Sequence, residues 1–141
     1  MNTDSTSAGS ANRTEAAPFN ATALGASLTV KDLRRSLAWY RDVVGFAVDR
    51  EYERGGQLRA VALRAGSARV LINQDDGAKG LDRAKGEGFS LMFTTAQSID
   101  EVANRIKQNG GTLEAEPADM PWGARVFRLI DPDGYKLVVS S

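Results

Sequence analysis

The chain has 141 residues, 18 Lys plus Arg against 18 Asp plus Glu, and neither histidine nor cysteine. That length is enough for one domain with its own core, and a zero formal charge offers no basic field for nucleic acid. The missing residue types exclude disulfides, thiolate nucleophiles, zinc–sulfur sites and any imidazole base or ligand, so a metal here would have to sit on oxygen. Residues 1–22, rich in Ser, Thr, Asn and Ala without an apolar period, read as a disordered leader to a single domain over 23–141. "LGASLTV" reads as a strand, and Asp32 as the N-cap of a helix carrying Leu33, Leu37, Tyr40 and Val44 on one face and ended by Gly45. "FAVDREYE", "QLRAVALR" and "ARVLIN" are three short strands separated by the turn signals "RGG" and "AGS".

The second half repeats the order. "FSLMFTT" is a strand, Ser98 and Glu101 form a capping box, and the helix that follows places Ile99, Val102, Ala103 and Ile106 on one face before Gly110-Gly111. "TLEAE", "ARVFRLI" and "YKLVVS" supply three more strands, the last two joined by the turn "DPDG" at 131–134, where Asp131 bonds its own backbone and Gly134 takes the positive-φ position. The caps Asp32 and Ser98 lie 66 residues apart and the stops Gly45 and Gly110 lie 65 apart. This agreement predicts a duplicated unit. The expected fold is α+β, two tandem βαβββ modules (23–74 and 88–141) joined by a charged, Gly-containing bridge (75–87), with a cleft between curved mixed sheets. No apolar run reaches the roughly 20 residues of a membrane helix, and a cytoplasmic protein with no membrane partner is expected.

"LTVKDLRRSLAWYRDVVGF", followed about a hundred residues after its start by "PWGARVFRLIDPDGYKL", resembles the vicinal oxygen chelate superfamily of glyoxalases, ring-cleaving dioxygenases and bleomycin-resistance proteins. The resemblance runs from about Leu24 to Val139 and implies the duplicated fold. Metal-using members carry ligands on the first and last strands of each module, and spacing carries those positions onto Gly25, Leu71, Ser90 and Val138. None of the four can act as a histidine or glutamate ligand. The departure resembles the metal-free, bleomycin-resistance-like branch, so no metal and no cofactor are expected.

The function so implied is metal-independent binding of a hydrophobic or aromatic small molecule, as in sequestration of a drug or metabolite, by a homodimer. Trp122, in "DMPWGAR", either stacks on a planar ligand at the mouth of the cleft or caps the core. Arg125 and Phe127 alternate along one strand and therefore share a face. If it lines the cleft, Arg125 binds an acidic group and Phe127 an apolar body; otherwise Phe127 is core and Arg125 marks the sheet edge. Phe93 and Tyr52 are further aromatic candidates that also suit packing. Asn73 and Asp75, with Gln74 and Asp76, are polar groups at a strand end able to meet a ligand or a hard cation, whereas Lys79 to Glu87 read as a solvated loop. The alternative is a lyase or isomerase using an oxygen-ligand metal or a carboxylate base such as Asp75 or Asp76. A third reading is an interaction module with a vestigial cleft.

Overall fold

A computed structural model describes residues 16–141 of the chain. Most of the expected leader, residues 1–15, therefore lies outside the described residues. The first module runs β1 (Gly25–Val30), α1 (Leu33–Ala38) continued by a π-helical segment (Trp39–Val44), β2 (Ala47–Arg54), β3 (Gln57–Ala65) and β4 (Ala68–Gln74). The second runs β5 (Ser90–Thr94), α2 (Ile99–Gln108), β6 (Ala115–Asp119), β7 (Arg125–Ile130) and β8 (Lys136–Ser140). The sheets have the same topology, β1-β4-β3-β2 and β5-β8-β7-β6, with the first pair of each parallel and the rest antiparallel. The α+β fold of two βαβββ modules is thus as expected.

Local signals account for the helices. Asp32 accepts a hydrogen bond from the Arg35 amide, and Ser98 accepts one from Glu101, each satisfying an orphan donor of the first turn. The first helix widens after Ala38, so that both the Gly45 and Phe46 amides donate to the Tyr40 carbonyl, and Gly45 ends it at φ 104°. The last-module strand expected at 112–116 forms three residues later, over Ala115–Asp119. A register shift between Ala115 and Ala118 accompanies Pro117, which cannot donate to a ladder, and this irregularity moves the pairing along the chain.

One face of each sheet packs on the helices. Leu28, Val30, Val61, Leu63, Val70 and Ile72 from the first module join Phe127, Leu129, Leu137 and Val139 from the second in one buried cluster. The modules meet through the chain Tyr40, Phe46 and Phe93, whose rings stand edge to face at 5.4 and 5.6 Å. Each such contact contributes about 0.5–1.5 kcal/mol beyond the area it buries. The opposite face of each sheet carries no helix, with Met92 at 73 % and Tyr52 and Ile130 at 42 % exposure, while Val126 and Val138 between their neighbours on the second sheet are buried.

Candidate functional site

These two helix-free faces are the surfaces on which a ligand can be met. Strand register assigns the side chains. On the first sheet Ser27 lies opposite Leu71, Ala62 opposite Leu71 from the other side, Ala60 opposite Asn73, and Tyr52 opposite Ala60. On the second, Met92 and Arg128 flank Val138, and Ser90 and Ile130 flank Lys136. An open hollow of about 620 Å³ lies over this second face, floored by Ser90 and Val138 and walled by Arg128, Lys136 and Phe89. The hollow is open and lined by charged as well as apolar groups.

The turn after β7 locks the modules together beneath these faces. Asp131 is buried and accepts hydrogen bonds from the Asp133 and Tyr135 amides at 2.8 Å, as the turn chemistry requires, and its second oxygen accepts from the Tyr40 hydroxyl at 2.8 Å. Burial pushes the Asp131 carboxyl above its usual range despite these donors, and burial together with the Asp131 charge raises the Tyr40 phenol. The Tyr135 hydroxyl donates to the Thr29 carbonyl at 2.8 Å, giving a second polar tie between the modules.

The bridge is fastened to the same turn. The Lys85 side chain is only 4 % exposed and its Nζ lies 3.2 Å from Asp75 and 3.1 Å from Asp133. Burial alone would lower the Lys85 pKa, but its bonds to Asp133 and Asp75 outweigh that and raise it. Gly86, at φ 77°, packs so closely that a Cβ would sit 2.8 Å from the Tyr135 ring, so only glycine fits there. The expectation of a solvated loop over Lys79 to Glu87 is therefore corrected at Lys85 and Gly86, which anchor the bridge in a buried ion-pair network.

Asp75 belongs to that network rather than to a ligand site. It accepts from the Gly77 amide at 2.9 Å and pairs with Arg83 and Lys85, its side chain being 2 % exposed.

 The Gly77 amide first, then Lys85 and Arg83, hold the Asp75 carboxyl below the usual carboxylate range, which makes it a poor base near neutral pH. A lowered folded-state pKa means that the stabilisation is present above the unfolded value of about 4 and is lost as pH falls through the folded one. Asp75→Asn is expected to remove this acid-side loss, measured as a flatter melting-temperature profile below about pH 4 than the parent shows.

The other expected site residues separate into two groups. Tyr52 and Asn73 lie on the helix-free face, Asn73 tied by its amide to the Ser27 hydroxyl at 3.0 Å and the Leu28 carbonyl at 3.2 Å. Phe127 and Phe93 do not: Phe127 is fully buried in the core, and Phe93 packs against that core on Phe46. Arg125 shares the helix side with Phe127, where its guanidinium pairs with Asp100 at 3.0 Å and Asp119 at 3.1 Å. The alternation was correct, but period two says which residues share a face and not which face meets the helix. Trp122 is 70 % exposed in the turn between β6 and β7, so it does not cap the core.

Sequence reasoning passed over Arg64, Arg69, Met92, Arg128 and Lys136, all of which the register puts on the helix-free faces. The available signal was the polar half of each alternating strand, which reads as ordinary solvated surface until both faces are known to be uncovered. The positions Gly25, Leu71, Ser90 and Val138 fall on these faces too, and they present no carboxylate, imidazole or thiolate. Among the described residues no group of three or more Asp, Glu, His or Cys side chains is arranged to hold a metal ion. The donor set does not fit the metal that glyoxalases and dioxygenases of this fold use. No helix among the described residues is long and apolar enough to cross a membrane.

Comparison with known proteins places the fold in a family. The family model described as Glyoxalase/Bleomycin resistance protein/Dioxygenase superfamily matches residues 20–139. A lactoylglutathione lyase of Salmonella typhimurium is 28 % identical over 116 residues, covering 78 % of this chain and 84 % of that protein. The glutathione transferase FosA of Serratia marcescens is 24 % identical over 112 residues, covering 79 % and 74 %. Among solved structures, TioX from Micromonospora sp. ML1 superposes with a TM-score of 0.69 at 21 % identity, covering 85 % of this chain and 98 % of that one.

Proposed function

Since the chain belongs to the Glyoxalase/Bleomycin resistance protein/Dioxygenase superfamily, we propose that it is a metal-independent member that binds a small molecule with an apolar or aromatic body. The observation that carries this reading is the character of the four ligand-equivalent positions. Gly25, Leu71, Ser90 and Val138 lie on open sheet faces and replace a metal-binding set with small and apolar groups. A homodimer completes the site in this reading, because each face is uncovered within one chain and a second copy can cover both. The proposed setting is the cytoplasm, with neither nucleic acid nor membrane as partner.

A carboxylate-based lyase or isomerase is less well supported. Asp75 is held ionised inside a salt-bridge network, and Asp131 is enclosed by its own turn and Tyr40. Neither carboxylate lines the hollow over the second sheet.

The test is a fluorescence titration of the full chain, in the presence of EDTA, with a panel of planar drugs and metabolites. Saturable binding by at least one compound is expected, with quenching that Trp122→Phe diminishes where the ligand reaches the exposed indole. A panel that yields no saturable binding, or binding that EDTA abolishes, overturns the proposal.

A further inference from the structure

The chain is neutral, yet its charges are sorted between the two sides of the sheets. In "DREYER" of β2, Arg50, Tyr52 and Arg54 pair across the ladder with Ala62, Ala60 and Gln57, on the helix-free side, while Glu51 pairs with the core residue Val61 on the other. Arg64 lies opposite Arg69 on the same helix-free face. Arg128 and Lys136 occupy the corresponding face of the second sheet. Among the described residues, no carboxylate stands in register on either face; acidic groups come in at the margins. Asp49, in the β2 bulge, lies 3.6 Å from Arg64 and 3.9 Å from Arg69, and Glu114 and Glu87 edge the hollow beside Arg128 and Lys136.

Cations so outnumber carboxylates on these two uncovered faces that a ligand bound on either would best be an anion. Guanidinium groups hold oxyanions bidentately, and their aliphatic stems and Tyr52 supply apolar contact; Arg50 already stacks over the Tyr52 ring at 5.0 Å. We infer that the ligand is an amphipathic organic anion, a carboxylate, sulfonate or phosphate on an apolar body, whose charge is met by Arg64 and Arg69 or by Arg128 and Lys136. This inference rests on the small-molecule reading above and narrows it to one class.

Two dyes that differ in a single group separate the possibilities. 1-Anilinonaphthalene-8-sulfonate carries a sulfonate, and N-phenyl-1-naphthylamine is the same ring system without it. The anion is expected to bind the full chain at least tenfold more tightly than the neutral dye, and more weakly as salt screens the arginines. Arg64→Gln with Arg69→Gln, or Arg128→Gln with Lys136→Gln, should remove most of that preference at unchanged melting temperature, while Arg34→Gln on the exposed side of α1 should not. Equal affinity for the two dyes, or a preference that survives both double variants, overturns the anion inference and leaves the small-molecule reading standing. Binding of neither dye counts against both.

Discussion

Asp131→Ala is expected to lower the free energy of unfolding by about 3–5 kcal/mol, a large share of the roughly 5–15 kcal/mol that holds a domain of this kind folded. The carboxylate is the shared acceptor for the Tyr40 hydroxyl and the Asp133 and Tyr135 amides, each at 2.8 Å. Truncation leaves the Tyr40 hydroxyl and the Tyr135 amide buried without partners, and an unsatisfied buried donor costs about 1–3 kcal/mol. It also releases the tie between the first helix and the last hairpin, so the loss is felt by both modules. Urea denaturation should show a lower midpoint with an unchanged slope. A loss under about 1 kcal/mol would mean that water replaces the carboxylate at no cost.

Asp131→Asn separates the acceptor from its charge. Burial raises the folded-state pKa of Asp131, so its favourable share is fully present below the unfolded value and is lost as pH rises through the folded one. The amide variant keeps one acceptor oxygen and cannot ionise. It should be less damaging than Ala and should lack the decline that Asp131 contributes as pH rises.

If the proposed homodimer closes over the second sheet, Met92→Lys is expected to weaken it by about 100-fold, or roughly 2.7 kcal/mol. Met92 is 73 % exposed and stands beside Val138 on the uncovered face, with Arg128 on the far side of Val138. A lysine there is accommodated by the isolated chain, whose melting should change little. In a dimer closed over this face it would bury an unpaired ammonium among existing cations, which costs several kcal/mol unless an anion meets it. Sedimentation velocity over a concentration series gives the dissociation constant. Unchanged association would place the dimer contact elsewhere.

The frame was legible in the sequence because local signals agreed with the global pattern. Asp32 and Ser98 capped as read, Gly45 ended the first helix, and the turn at Asp131 closed through its own backbone. What failed were matters of side and neighbour. Arg125 and Phe127 share a face, but the packing of α2 decides that it is the covered one. Lys85 looks like one charge among many in a glycine-rich bridge, and only the folded turn brings Asp133 to it from 48 residues away. The strand at β6 moved because Pro117 and a register shift override the apolar pattern of "TLEAE". The candidate site was the least legible part, since a cationic face becomes meaningful only when two sheets are known to leave the same side open.

Native mass spectrometry of the full chain, purified without chelators, tests metal-independent binding by a dimer most directly, since subunit number, metal and carried-over organic ligand appear in one spectrum. The expected result is a dimer without stoichiometric metal, with an organic adduct where a ligand is retained. A monomer at working concentration, or a stoichiometric metal that survives desalting, would contradict it.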